Sequence, residues 1–237
     1  MTNFFQYLRK VKFAFDPDFF KKTNFFQWLK CAFISLKYVD DFNVFPSIQY
    51  IGDIELKIFK DKSAKLIIDN RLIIESWLNL TESSTITLSK NSIFHSKGNF
   101  IIGNGVTFYL DNNAKLLLKG RNKESASGIT AKAVIMVKQK VEIGEDCIIA
   151  WDTFITDCDW HSIKGKSYVE ETIIGNHVWL GVGTKILKGA KVQDNCIVTS
   201  NSVVLKGNYA NNSLISGAPA KVVKNNIEPW CRDMKTW

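Results

Sequence analysis

The chain has 237 residues, 46% of them hydrophobic and 23% charged, which is ordinary for a globular protein and enough for a sizeable core. Its uncharged apolar stretches fall far short of the ~20 residues of a membrane span, and no signal peptide opens the sequence, so we expect a cytoplasmic protein. The net charge of +8 comes from scattered lysines without an arginine-rich run. This pattern favours a solvated surface or anionic small ligands over nucleic acid.

The five cysteines are odd in number and form no close pair, which argues against a disulfide framework or a zinc site. We therefore expect no metal. Cys147 and Cys196 stand where the repeat described below requires a small buried side chain, and packing explains them.

Residues 1–45 differ from the rest, since they hold eleven of the sixteen phenylalanines together with seven lysines and arginines. Apolar residues recur there at helical spacing, which predicts a short amphipathic helical appendage. Its aromatic faces either cap the end of the following core or lie on a membrane surface or partner. The positions with this spacing are Phe4, Leu8, Val11 and Phe15, then Phe25, Leu29, Ala32 and Leu36.

Residues 46–119 show a β-like but irregular alternation of apolar and polar residues, as at Leu56, Ile58, Leu66 and Ile68. We interpret them as early, degenerate turns of the architecture that follows. Residues 120–132 are rich in small and polar types, and we expect a projecting loop there.

A six-residue repeat becomes clear after residue 143 and dominates residues 174–204. A unit this short cannot bury its apolar side alone, so the units must stack, three to a coil, as an all-β parallel β-helix. The large aliphatic residue of each unit points inward and the small residue four places later fits the corner. The aliphatic positions are Ile174, Leu180, Ile186, Val192, Val198 and Val204; the small ones are Val178, Thr184, Ala190, Cys196 and Ser202.

The repeat and its flanking motifs resemble the hexapeptide-repeat acyltransferases, whose fold is a left-handed β-helix. Within them, the segments 176–181, 159–161 and 216–221 are similar to those of bacterial sialic-acid, capsular and lipopolysaccharide O-acetyltransferases. The resemblance implies a β-helix over residues 46–224, followed by a tail or closing helix at 225–237. It also implies acetyl-CoA as co-substrate and the hydroxyl of a glycan or sugar precursor as acceptor.

The repeat is interrupted at residues 156–173, which carry more charged and aromatic residues than packing requires. Acetyl transfer to a hydroxyl requires a base, and histidine is the suitable one near neutral pH. By the resemblance, His161 of the Asp-x-His motif is that base. Either Asp157 or Asp159 is expected to orient it. Trp151 and Trp160 flank this loop, where each either stacks on a sugar ring or packs in the protein.

The resemblance also assigns residues to the coenzyme A site. Trp179 is similar to a tryptophan that borders the cofactor channel, with His177 beside it as a supporting polar residue. Lys221 and Lys224 stand where relatives often have arginine. Lysine keeps the positive charge but loses the bidentate contact with phosphate. The remaining cofactor positions are Val182, Ser200, Leu205, Lys206, Lys221 and Lys224.

Three alternatives stay open from the sequence. An N-acetyltransferase on an amino sugar nucleotide would keep the fold, although no nucleotide-binding domain precedes it. A zinc enzyme would need three clustered histidines, and His95, His161 and His177 are far apart. A non-enzymatic scaffold would leave the loop without a purpose. Hexapeptide transferases generally form homotrimers with active sites between subunits, and we expect the same here.

Overall fold

The computed structural model describes residues 23–77, 80–121 and 127–232. Within these ranges there is one α-helix, α1 (Phe25–Tyr38), and 24 strands. The predicted helical stretch from Phe4 to Phe15 lies outside the described residues. Asn24 caps α1 by accepting a hydrogen bond from Gln27 N, while the Gln27 side chain accepts one from Asn24 N, a reciprocal capping box.

The strands wind into a three-sided prism, because each strand pairs in parallel with the strand three places later. Sheet A contains β1, β4, β7, β10, β13, β16, β19 and β22; sheet B contains β2, β5, β8, β11, β14, β17, β20, β23 and β24; sheet C contains β3, β6, β9, β12, β15, β18 and β21. The predicted parallel β-helix is confirmed.

The bounds of the strands are as follows. They are β1 (Asp41–Phe42), β2 (Ile48–Ile51), β3 (Leu56–Lys60), β4 (Lys65–Ile68), β5 (Leu72–Glu75), β6 (Ser84–Leu88), β7 (Ile93–Ser96), β8 (Phe100–Asn104), β9 (Thr107–Leu110), β10 (Lys115–Gly120), β11 (Ser127–Ala131), β12 (Val134–Val137), β13 (Lys140–Glu145), β14 (Ile148–Ile149), β15 (Phe154–Thr156), β16 (Thr172–Ile174), β17 (Trp179–Leu180), β18 (Lys185–Ile186), β19 (Ala190–Val192), β20 (Ile197–Val198), β21 (Val203–Val204), β22 (Gly207–Tyr209), β23 (Ser213–Gly217) and β24 (Ala220–Asn225).

The core runs along the axis of the prism. Both the aliphatic and the small positions of the six-residue repeat point into it. All six aliphatic positions from Ile174 to Val204 are buried, and so are the five small positions from Val178 to Ser202. Cys147 and Cys196 are buried among them, as expected from packing. All five cysteines are free thiols.

The coils vary in length along the prism, which explains why the six-residue repeat is visible in only part of the sequence. In the last coils Trp179 lies opposite Ile197, 18 positions later, which is three six-residue units. In the early coils Lys65 lies opposite Ile93, 28 positions later, and the strands have four to six residues. These longer strands alternate in and out with a period of two, so the early part of the chain forms coils of the same β-helix without the six-residue spacing.

Three corners join the sheets, and we call them A–B, B–C and C–A. The loop that interrupts the repeat leaves the C–A corner between β15 and β16 and spans residues 157–171. The turn or loop expected at 120–132 is wrong at Gly120, which ends β10, and at 127–131, which form β11, while residues 122–126 lie outside the described residues. Alternation of Ile129 and Ala131 toward the core outweighs the polar composition there.

Both ends of the prism are covered. At the first coil, α1 packs on β2, where Ser35 Oγ accepts from Ile48 N at 3.0 Å and Cys31 Sγ from Tyr50 N at 3.4 Å. The coil itself begins at β1, which pairs with β4. At the last coil, β24 runs antiparallel on β23. The tail beyond it has no helix up to residue 232. No helix among the described residues is long and apolar enough to cross a membrane.

Candidate functional site

The loop at residues 157–171 is a two-legged arm held together by its own backbone. Cys158 and Val169 form an antiparallel bridge, Asp159 N donates to Tyr168 O at 2.8 Å, and Glu170 N donates to Asp157 O at 2.9 Å. The two legs therefore present the residues between them, including His161, as one unit at the C–A corner.

Asp157 anchors the start of this arm. Its side chain is completely buried, and its carboxylate accepts backbone hydrogen bonds from Lys138, Gln139 and Lys140 at 2.6 to 2.7 Å. These amides belong to the turn between β12 and β13, one coil earlier. The carboxylate thus fixes the arm to the preceding corner, and we find no hydrogen bond between it and His161.

Asp159 is likewise occupied by a partner other than His161. Its carboxylate accepts a hydrogen bond from Lys188 Nζ, and the same ammonium donates to Ser167 O at 2.6 Å. Lys188 comes from the C–A corner of the following coil. Neither aspartate contacts His161 within the part of the chain that the structure describes, so the expected orienting role finds no support in a single chain.

His161 lies beside a cavity of about 410 Å³ between the arm and the preceding C–A corners. The imidazole is exposed and faces a space large enough for a sugar ring. Sequence reasoning identified His161 and Trp160 here but missed the other lining residues. These are Asp111, Lys138, Cys158, Ser162 and Tyr168.

The charged pair in the cavity is Lys138 with Asp111. Lys138 Nζ donates to Asp111 Oδ2, and this hydrogen bond raises the pKa of Lys138. Burial is the largest single effect and works to raise the pKa of Asp111, but the hydrogen bonds from Lys138 and from Asn112 N, together with the Lys138 charge, outweigh it and leave that pKa below its ordinary value. Both groups therefore stay charged at neutral pH and offer a fixed dipole to a polar ligand.

The one thiol lining this cavity is unsuited to nucleophilic attack. Burial raises the pKa of Cys158, and only its backbone contact with Trp160 N and nearby Lys138 oppose that effect. The thiolate is the reactive form of cysteine, so a raised pKa disfavours it. Chemistry at this site is accordingly expected to use the imidazole.

The aromatic residues around the arm divide into packed and exposed ones. Trp160 packs edge-on against Tyr109, with ring centroids 5.7 Å apart, and its Nε1 donates to Thr156 Oγ1 at 3.1 Å. Tyr168 is 42% exposed on the cavity wall. Trp151 is also exposed but lies at the B–C corner, away from His161 in the same chain.

The residues assigned to coenzyme A divide between two corners. Val182 and Ser200 lie one above the other at the B–C corner, where a Cβ built on Gly181 would come within 2.6 Å of Ser200 N. Lys221 of β24 lies opposite Ser216 of β23, next to this corner. Lys224 follows on β24. Leu205 and Lys206 lie at the C–A corner instead. Sheet C separates the two groups in one chain.

Lys206 already has a partner in this corner. Its Nζ donates to Glu170 Oε2 at 2.6 Å, which ties the second leg of the arm to the last coil. Lys188 and Lys206 thus hold the arm from the C-terminal side, while Asp157 holds it from the N-terminal side.

His177 and Trp179 lie beside the C-terminal tail. The Trp230 ring stacks on His177 at 4.1 Å, and Trp179 lies 6.4 Å from Trp230 by ring centroids. His177 Nδ1 is 2.8 Å from Asp146 Oδ2, and its Nε2 is 2.9 Å from Trp230 O. Both ring nitrogens are therefore engaged, which supports a structural role, whereas Trp179 is left 42% exposed on sheet B.

The histidines do not form a metal site. His95 pairs with Asp69 on the outer face of sheet A at 2.8 Å, while His161 and His177 belong to the C–A arm and the A–B corner. Across residues 23–77, 80–121 and 127–232, no group of three or more metal-ligating side chains is found.

Comparison with known proteins gives one family model and several relatives. Residues 171–206 match the family described as bacterial transferase hexapeptide (six repeats). The chain is 33% identical over 189 residues to a polysialic acid O-acetyltransferase of Neisseria meningitidis, covering 64% of this chain and 87% of that protein.

Two further similarities were found. Over 100 residues the chain is 33% identical to a putative lipopolysaccharide biosynthesis O-acetyl transferase of Escherichia coli K12, covering 36% of this chain and 50% of that protein. Among solved structures, a polySia-specific acetyltransferase superposes with a TM-score of 0.49 and 25% identity, covering 80% of this chain and 91% of that one.

Proposed function

Because the chain belongs to the bacterial hexapeptide-repeat transferase family, we propose that it is an O-acetyltransferase acting on a hydroxyl group of a bacterial surface glycan or its sugar precursor. The observation that carries this assignment is the exposed His161 on an anchored arm beside a 410 Å³ cavity. Two relatives are named as O-acetyltransferases of polysialic acid and of lipopolysaccharide biosynthesis. The donor is a coenzyme A thioester, and we propose acetyl-CoA.

The reaction is a direct transfer. His161 takes the proton of the acceptor hydroxyl as its oxygen attacks the carbonyl carbon of the thioester. The tetrahedral intermediate collapses by breaking the carbon–sulfur bond, and the imidazolium returns its proton to the departing thiolate. Burial raises the pKa of Cys158, which argues against an acetyl-cysteine intermediate on the one cavity thiol.

The B–C corner fits the pantetheine arm of coenzyme A. Val182 and Ser200 form a narrow step without bulky side chains, and Lys221 and Lys224 are exposed on β24 for the phosphates. Trp179 lies in β17 of sheet B, just before this corner. Lys206 is committed to Glu170, so its contribution would be to hold the arm, and a contact with the cofactor would require that pair to open.

A homotrimer with active sites between subunits would bring the two halves together. In one chain His161 lies at the C–A corner, while Val182, Ser200 and Trp151 lie at the B–C corner, with sheet C between them. If the C–A corner of one chain faces the B–C corner of the next, the base, the cofactor groove and an exposed tryptophan share one cleft. Coenzyme A thioesters are made in the cytoplasm, so we place the reaction there.

The decisive experiment uses the purified full chain with acetyl-CoA and oligomeric sialic acid or lipopolysaccharide sugars. Thiol release and the mass of the acceptor are followed together. We expect one acetyl group on a hydroxyl, and a loss of rate of about 10²- to 10⁴-fold in His161→Asn with acetyl-CoA binding retained.

Three results would contradict the assignment. An unchanged rate in His161→Asn would show that His161 is not the general base. Acetylation of an amine in place of a hydroxyl would make the protein an N-acetyltransferase. Absence of acetyl-CoA binding by calorimetry would favour a scaffold. Trp151→Phe tests aromatic stacking separately, since it replaces the indole by a smaller phenyl ring and leaves His161 untouched.

A further inference from the structure

The outward face of α1 is an unusual concentration of exposed aromatic and aliphatic side chains. The helix buries Cys31, Ala32 and Ser35 against the first coil, and the opposite face is open. Phe26 is 80% exposed and Phe33 is 63% exposed. The apolar residues on this face are Phe25, Phe26, Leu29, Phe33 and Leu36.

These side chains form one continuous stripe, because positions 26, 29, 33 and 36 follow the spacing of a single helix face. Lysines border it. Lys30 Nζ lies 4.4 Å from the centre of the Tyr50 ring, and Lys37 Nζ lies 4.8 Å from that of Tyr38. No acidic residue occurs between Phe25 and Tyr38. The face therefore combines an apolar stripe with positive charge alone.

The sequence from the first residue to the end of α1 has the same bias of charge. Residues 1–38 contain seven lysines and arginines and two aspartates, a net charge of +5. A second copy of the chain would bring the lysines of two α1 helices into one interface without an acidic partner on either helix. Residues 1–22 carry five basic and two acidic side chains, so packing them on α1 would also add like charge.

An anionic lipid surface complements both properties of this face. Apolar side chains enter the boundary between headgroups and acyl chains, while bordering lysines meet negatively charged headgroups. We propose that the exposed face of α1 is a peripheral docking surface for an anionic membrane. This inference gives the membrane contact a defined surface and stands independently of the acetyl transfer reaction.

The docked geometry follows from how α1 is held. The helix is fixed to β2 by the hydrogen bonds of Ser35 and Cys31, so the whole prism is carried with it. The arm with His161 leaves the C–A corner four coils further along the axis, between β15 and β16. Docking through α1 thus leaves the cavity beside His161 open.

The test is sedimentation of the full-length protein with vesicles of phosphatidylcholine alone and with one quarter phosphatidylglycerol. We expect binding to the anionic vesicles that decreases at high salt, with Phe26→Ser and Phe33→Ser each weakening it by on the order of tenfold. Phe59→Ser is the matched control, because Phe59 is 59% exposed on β3, away from α1. That variant is expected to bind as the parent does.

Other outcomes would overturn the inference. Equal binding to both kinds of vesicle would remove the role of anionic lipid. If no vesicle binds and Phe26→Ser lowers the oligomeric mass measured by light scattering, a second copy covers the face. If no vesicle binds and the mass is unchanged, residues of the same chain cover it. Circular dichroism and retained acetyl-CoA binding show that each variant is folded.

Discussion

Lys188 and Asp159 form an ion pair that ties the arm carrying His161 to the next coil of the β-helix. The same ammonium also donates to Ser167 O, so one side chain holds both legs of the arm. The aspartate of the Asp-x-His motif therefore acts on the arm as a whole, two residues away from the imidazole. His161 is positioned through the backbone, and Lys188 is the positioning residue.

Replacing Lys188 should lower the catalytic rate without affecting the cofactor. Lys188→Ala removes the contact that ties both legs to the following coil, and a displacement of His161 by about 1 Å can cost on the order of 100-fold in kcat. Acetyl-CoA affinity should be unchanged, and Lys188→Arg should restore part of the rate because it can still bridge Asp159 and Ser167. Steady-state kinetics with hydrogen exchange of residues 159–167 provides the measurement; an equal loss in Lys188→Arg would contradict the positioning role.

Asp157 should matter for stability before it matters for chemistry. Asp157→Asn keeps the size of the side chain but replaces one acceptor oxygen by an amide that faces backbone donors. Leaving buried donors without a partner costs about 1–3 kcal/mol in the free energy of unfolding. Urea denaturation measures this, with exposed Asp53→Asn as the control expected within about 0.5 kcal/mol of the parent. Equal stability of the two variants would refute the anchor.

Protonation of Asp146 should weaken the attachment of the C-terminal tail around Trp230 and Arg232. Burial alone would raise the pKa of Asp146, but hydrogen bonds from His177 and Arg232 outweigh it and leave the pKa below its usual 3.8. A carboxylate with a lowered pKa stabilises the fold fully above the unfolded value, and that contribution is lost as pH falls through the folded value. The loss is therefore expected below about pH 4.

The corresponding experiment compares the parent with Asp146→Asn by urea denaturation at several pH values. The difference in unfolding free energy should narrow between about pH 4 and pH 3, as Asp146 in the parent also loses its charge. The same comparison for Asp53→Asn should stay flat. A difference that widens on acidification would show that Asp146 is not held in its charged form by the tail.

Mixing two inactive variants tests the arrangement between subunits. His161→Ala removes the base at the C–A corner, and Ser200→Trp blocks the groove at the B–C corner. If each site combines two chains, co-refolding equal amounts should restore about a quarter of the sites by random assortment. Activity and mass by light scattering are measured on the same samples. Recovery of none of the activity in mixed trimers would place the whole site within one chain.

The six-residue coils could be predicted from sequence because the repeat leaves one large and one small residue per unit. The buried positions from Ile174 to Val204 follow that pattern without exception. The early coils could not, since strands such as β4 and β10 bury alternate residues and coil length varies between them. The stretch at 127–131 was wrongly expected to be a loop because Ser127 and Gly128 are typical of turns, although Ser127 is buried and only Gly128 and Thr130 face outward from β11.

The site was only partly predictable for a related reason. His161 stands in a motif that can be read along the chain, whereas Asp111, Lys138 and Tyr168 join it only when the corners of successive coils stack. The role of each charged residue depends on its hydrogen-bond partner in a neighbouring coil, which the sequence does not reveal. Asp157 and Asp159 looked equivalent in sequence, yet Asp157 is buried beneath three backbone amides and Asp159 pairs with the partly buried corner lysine Lys188.

The closure of sheet B at both ends limits how this molecule can grow. Side chains of α1 occupy backbone donors of β2, and β24 reverses direction on β23. A parallel stack offers open edges to any strand that passes, and such edges nucleate fibres. With sheet B covered by α1 at the first coil and ended by an antiparallel strand at the last, the copies of the trimer proposed above would meet at the flanks of the prism.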